Sequence, residues 1–280
     1  MSLSGTPFVL LHGFWHGSWC WASVTAELAA RGRVATAVDM AGHGLNARRP
    51  TAASARPFDE AAFAAAPSPV AGVSLDDAAD LLTAQLKRLG RPCVLVAHSM
   101  GGNVATRVAE QAPDLVAHLV YVTAFMPSSG TPAGAYITEP ENAGELVSAA
   151  VRTDPDVVGA LRLDVASPDP AYRAKLREAF YNDIAPDVAD AAMALLSPDG
   201  PIGIVKGSTD LTPEGWGSVP RTYVMCMRDN AIRPRLQERF ITEADAAFPD
   251  NPTKVVRLDA SHSPFLSQPE RLAEILASIA

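Results

Sequence analysis

Two hydrophobic periods alternate along the first half of the chain. Residues 8–11, 34–38, 94–97 and 119–122 are short, nearly unbroken apolar runs, the pattern of strands buried on both faces. Between them, residues 19–31, 75–89 and 102–111 place apolar side chains at helical spacing. This alternation predicts an α/β fold, a mostly parallel central sheet with helices on both faces. Boundary residues agree, since Ser18 is placed to cap a helix that Gly32 ends, and Ser74-Leu75-Asp76-Asp77 reads as a capping box. From Ala47 to Val73 the pattern dissolves into Ala, Pro and Ser, and a mobile surface excursion without regular structure is expected.

Between residues 126 and 217 the strand signal nearly vanishes. Helical stretches at 155–163, 171–181 and 186–196 are separated by Pro, Gly and Asp. The pattern predicts a helical cap, 126–217, inserted into a core domain formed by 1–125 and 218–280. The alternation resumes with a strand at 222–227, a helix at 234–248 and a strand at 255–258. Ser267-Gln268-Pro269-Glu270 then offers a capping box for a last helix. No internal repeat or heptad seam is present.

Composition narrows the function classes. With 280 residues, 48% of them hydrophobic, the chain can bury a large single core. The net charge is −8, and the 19 arginines and 4 lysines are scattered, so no basic stripe is available to track phosphates and nucleic acid is excluded as a partner. Cys20, Cys93 and Cys226 are an odd number, two of them inside apolar runs, which reads as buried thiols in a reducing compartment. No apolar run approaches the roughly 20 residues needed to span a bilayer, and Met1-Ser2-Leu3-Ser4-Gly5 lacks the basic start of a leader. A soluble cytoplasmic protein without membrane association is expected. Abundant Ala, Pro and Arg beside scarce Lys point to a bacterial source.

The chemistry concentrates at Val94-Leu95-Val96-Ala97-His98-Ser99-Met100-Gly101-Gly102, a strand running through small-x-Ser-x-Gly into a helix. That is the nucleophile elbow of the α/β-hydrolase fold, with Ala97 in place of its first Gly. Small neighbours let the serine hydroxyl stand exposed on a strained turn. Such a hydroxyl attacks only when a base takes its proton and an acid orients that base. His262 follows the 255–258 strand on a loop at the sheet's carboxyl end, and Asp229 follows the 222–227 strand, completing the order Ser, Asp, His. Asp259 is the rival acid, whereas Thr123-Ala124-Phe125-Met126 offers none one strand earlier. His98 should point away from the nucleophile; His12 and His16 belong to the first loop, and His43 and His118 read as loop or packed histidines. The backbone N–H groups of Met100 and Phe14 are the expected oxyanion donors, with Gly13 supplying the tight turn. No metal or cofactor is called for: a metallohydrolase would need a ligand cluster, and a haloalkane dehalogenase would need Asp at the elbow.

Further motifs make the chain resemble the plant methylesterase and hydroxynitrile lyase family with its bacterial relatives. Phe8-Val9-Leu10-Leu11-His12-Gly13-Phe14-Trp15-His16-Gly17-Ser18-Trp19 is similar to that family's first strand and His-Gly-x-x-His-Gly-x-Trp loop. Ala124-Phe125-Met126-Pro127 resembles its entry into the cap, and 216–221 with 223–229 resemble its return and acid loop. The resemblance covers most of the chain outside residues 47–73. It implies either ester hydrolysis or cyanohydrin cleavage. The lyases resemble esterases that carry Thr at the position of Gly13 and Lys at that of Ser263, so this chain sides with hydrolysis; plant methylesterases have an apolar residue where Ser263 stands. A small-molecule ester is the expected substrate, cleaved through an acyl-enzyme, and a slow-turnover ligand sensor is the reading from another class. Gly13, Trp15, Phe125, Met126, Trp216, Ser263 and Phe265 are the candidate substrate contacts, and Met193 is a further candidate from the cap. Methyl or aryl esters and lactones of small apolar or aromatic acids fit such walls. The sequence leaves monomer or homodimer open.

Overall fold

The computed structural model describes residues 5–279, so Met1 to Ser4, used above in the leader argument, and Ala280 lie outside it. Strands β1 (Phe8–Leu11), β2 (Ala35–Val38), β3 (Cys93–Ser99), β4 (Val116–Ala124), β7 (Arg221–Cys226) and β8 (Lys254–Leu258) form one parallel sheet in the order β2-β1-β3-β4-β7-β8. Strand alternation divides its side chains between two cores. Val9, Leu11, Leu95, Ala97, Tyr121 and Met225 face the helices Leu75–Lys87, Gly101–Gln111 and Pro234–Ala247. Phe8, Leu10, Val94, Val96, Val122 and Val224 face Ala22–Ala30 and Pro269–Ala277. From β1 the chain turns outward to β2 and from β3 it turns the other way to β4. The loops after β1 and β3 therefore part at the sheet's carboxyl edge, which opens a crevice at the switch point.

Between β4 and β7 the chain leaves the sheet. Helices Pro170–Phe180 and Pro186–Ala194 match the sequence expectation, but residues 155–163 do not form one helix. The helix Pro155–Val158 stops at Gly159, whose φ of 80° suits glycine, and the chain continues as β5 (Ala160–Arg162), antiparallel to β6 (Asp199–Pro201). Gly200 allows that strand pair to lie on Phe14, where a Cβ would come within 2.4 Å of the ring.

Residues 47–73 are not the irregular excursion expected from composition. They hold a 3-10 turn, Thr51–Ser54, and a helix, Glu60–Ala65, capped by Asp59. What fastens them is Arg162 of β5, fully buried, which donates to the carbonyls of Phe63 (2.6 Å) and Ala66 (2.7 Å) and forks onto Asp199 (2.6 and 2.7 Å). Ser68 completes the set by donating to Asp199 at 2.6 Å. Two expected caps also differ. Ser18 gives its backbone N–H to Asp39 and opens a 3-10 turn, and Gln268, not Ser267, begins the last helix; the Ser74 and Asp77 capping box is formed.

Candidate active site

Ser99 ends β3 with φ at 53°, the left-handed region that is costly for a residue with a side chain. Its neighbours show why they are small. A Cβ on Gly13 would lie 2.4 Å from Ser99 Cβ, one on Gly101 2.5 Å from the His12 carbonyl, and one on Gly102 2.1 Å from the Phe125 carbonyl. The turn thus fits only with backbone packed against backbone.

On the adjacent loops, His262 Nδ1–H donates to Asp229 Oδ2 at 2.7 Å, and both side chains are buried. Asp229 is held from every side: Oδ1 accepts the N–H of Ala231 (2.6 Å) and Ile232 (2.9 Å), and Oδ2 also accepts the Thr123 hydroxyl. Thr123 carries no acid and no sequence signal marks it, yet its hydroxyl fixes the carboxylate. The rival Asp259 is exposed on the surface. Ser99 and His262 share one cavity wall, although among the described residues no hydrogen bond joins them. Such contacts are commonly loose before substrate binds.

The N–H groups of Phe14 and Met100 have no protein acceptor among the described residues, and both residues line the same cavity. Histidines set their frame. His12 Nδ1–H donates to the Gly13 carbonyl at 2.7 Å while Nε2 accepts from Met40 N–H at 3.1 Å, an assignment that requires the neutral ring. Burial agrees, lowering the His12 pKa to about 4. In a planar trans peptide, fixing the Gly13 carbonyl also fixes the direction of the Phe14 N–H. His16 likewise holds the Phe14 carbonyl (2.9 Å), and His98 turns away from the serine to donate to the His262 carbonyl at 2.8 Å. His43 is a packed histidine stacked on Phe14.

The cavity, about 70 Å³, is walled by Phe14, Trp15, Phe125, Val151, Leu161, Phe180 and Ile232. Its polar wall residues away from Ser99 and His262 are mostly engaged by the fold: Asn142 bonds Ile137 and Arg233, and Glu145 caps the amides of Val147 and Ser148. Trp15 and Phe125 are therefore where the sequence placed them. Four other candidates are not. Trp216 packs at the opposite end of the sheet, ahead of β7, donating to Tyr121 (2.7 Å) under Arg221. Phe265 lies beneath His98 and beside Trp21, Met126 is buried in the core, and Ser263 is fully enclosed with its amide held by Ser261. Met193 is likewise interior to the 126–217 segment. Gly13 acts through its closeness to Ser99. Aromatic or sulfur character alone does not say which way a side chain points. Leu161, Phe180 and Ile232 carried no sequence signal at all.

A family model described as the alpha/beta hydrolase family matches residues 8–275. The chain belongs to the alpha/beta hydrolase family. Methylesterase 7 of Arabidopsis thaliana is 32% identical over 281 residues, covering 98% of this chain and 95% of its own. Probable esterase PIR7A of Oryza sativa subsp. indica is 30% identical, covering 100% and 98%. Among solved structures, a pyrethroid hydrolase from Sphingobium faniae JZ-2 superposes with a TM-score of 0.74 at 24% identity, covering 98% of this chain and 96% of that one. Polyneuridine aldehyde esterase superposes with a TM-score of 0.74 at 21% identity, with 99% of each covered. As a family member this chain shares the fold, and its plant relatives match the resemblance seen in the motifs. No helix among the described residues is long and apolar enough to cross a membrane.

Proposed function

We propose that the protein is a carboxylic-ester hydrolase working through an acyl-enzyme. The observation that carries this reading is convergence: Ser99, His262 and the unpartnered amides of Phe14 and Met100 all border one apolar cavity. Ser99 Oγ attacks the ester carbonyl carbon as its proton passes to His262 Nε2. The oxyanion sits between the two N–H groups, where losing one donor is worth about 2.7–4 kcal/mol of barrier. When the tetrahedral intermediate collapses, the carbon–oxygen bond to the alcohol breaks and the alcohol leaves with the proton from His262. Water then attacks the acyl group, His262 again taking the proton, and the acid departs from Ser99. Asp229 keeps the imidazole in the Nδ1–H tautomer throughout.

The engaged polar wall residues and the apolar remainder favour a neutral, compact acyl group, so methyl or aryl esters or lactones of small apolar or aromatic acids are the substrate class. Methylesterase and esterase relatives over the full chain support the same reaction type. Cyanohydrin cleavage is disfavoured by Gly13 and Ser263. The test is release of 4-nitrophenol from short-chain and aromatic esters by wild type and Ser99→Ala, with mandelonitrile assayed alongside. Ester turnover that vanishes in the variant supports the hydrolase. Cyanide release without ester turnover would overturn it in favour of the lyase, and silence in both would favour a sensor.

A further inference from the structure

Four residues at the C-terminal end of the helix Pro170–Phe180 and just beyond it bond to separate loops at the sheet's carboxyl edge. The Glu178 carbonyl and Oε1 both accept from Asn230 Nδ2 at 3.0 Å, and Asn182 Nδ2 donates to the Arg228 carbonyl at 3.0 Å; these two contacts bracket Asp229. Tyr181 donates its hydroxyl to His16 Nε2 at 2.9 Å, and His16 in turn holds the carbonyl of Phe14. Asp183 Oδ2 accepts the N–H of Ser261, the residue before His262, at 2.8 Å. The helix that carries these groups is itself braced, capped by Asp169 and tied through Arg177 to Asp190 of the next helix (2.7 and 3.0 Å). One element outside the sheet thus sets the spacing of three loops that β1, β7 and β8 deliver independently.

We propose that Asp183 is a positioning residue for His262, an inference that rests on the hydrolase reading above. The backbone around His262 is fixed at three points. Asp183 holds Ser261 on one side, the Ser261 hydroxyl accepts the N–H of Ser263 on the other (3.2 Å), and His98 holds the His262 carbonyl between them. Two of these come from within the sheet domain's own loops and strands; from outside, Asp183 makes the short contact at 2.8 Å, beside a long one of 3.5 Å from the Ser261 hydroxyl to the Phe180 carbonyl. Its other oxygen, Oδ1, is buried without a protein partner, so the carboxylate is kept there at a cost in solvation for the sake of the Ser261 contact. Because Ser99 and His262 line one cavity with no hydrogen bond between them, the loop's placement decides how easily they meet. Misplacement by about 1 Å costs on the order of a hundredfold in rate.

The test compares Asp183→Ala and Asp183→Asn with wild type and Ser99→Ala in steady-state hydrolysis of a 4-nitrophenyl ester. Asp183→Ala is expected to lower kcat about ten- to a hundredfold with KM within about twofold, since the base is displaced and the cavity wall is intact. Asp183→Asn keeps an acceptor oxygen for the Ser261 amide and is expected to recover most of kcat. If Asp183→Ala does not fold, Asp183→Ser, too short to reach that amide, takes its place with the same expectation. Unchanged kcat in the truncated variant, a change confined to KM, or an Asn variant as slow as the Ala one would each overturn the positioning role. The two failures are separable. Activity lost in Ser99→Ala but untouched in Asp183→Ala sinks this inference alone, whereas activity surviving Ser99→Ala sinks the hydrolase reading and this inference with it.

Discussion

At Ser99 the backbone sits in a conformation that costs an ordinary residue about 1–3 kcal/mol, and its surroundings over-determine it through Gly13, Gly101 and Gly102. Residues of this kind were legible in the sequence because the chemistry needs a local context: a strand before the serine, small residues around it, and an acid and a histidine after later strands. Thr123 shows where such legibility ends. Its hydroxyl reaches Asp229 from the neighbouring strand, about a hundred residues away in sequence, and nothing in its own neighbourhood marks it. Thr123→Val keeps the shape and removes the donor. Hydrogen bonds to charged groups are worth about 1.5–3 kcal/mol, so kcat for ester hydrolysis should fall about ten- to a hundredfold as Asp229 loses one of its anchors. Rates equal to wild type in a folded variant would show that the two amides and His262 hold the carboxylate unaided.

Elements were readable to the extent that one signal governed each. The six sheet strands and the long helices followed from period alone, and Ser74 caps its helix because its side chain and that of Asp77 are both free to do so. Ser267 cannot, since it is the last residue of the preceding short helix Pro264–Ser267 and lacks the extended backbone a cap requires. The β5–β6 pair was hidden because three-residue strands carry no measurable period, and residues 47–73 because their order comes from a distant arginine. Arg162 should therefore matter more than its single charge suggests. Arg162→Met strands Asp199 in the interior with only Ser68 for company, a loss of about 3–5 kcal/mol. Urea titration should register it, and Arg162→Met combined with Asp199→Leu should regain much of the deficit. A double variant no better than the single would mean that the carbonyl contacts to Phe63 and Ala66, not charge pairing, hold the segment.

On the scale of the whole molecule, five of the six histidines are buried around one crevice. Burial lowers His12 to about 4 and His16 and His43 to about 3, and pushes His98 well below its ordinary value. The unfolded chain takes up these protons near pH 6.5, the folded one only at much lower pH. Stability is thus complete above about pH 6.5 and is lost as the solution is acidified below it. The urea midpoint should drop steeply between pH 6.5 and 4.5, and a flat profile there would contradict the neutral-histidine arrangement. Gly13 has a consequence at this scale as well. A side chain there would bring its Cβ within 2.4 Å of Ser99 Cβ, and a longer residue at position 263 would enter the closed interior that Ser263 now fills. Variation at single positions of the cavity wall leaves the elbow untouched, whereas any side chain at Gly13 has room only if the backbone of the first loop or of the elbow shifts with it.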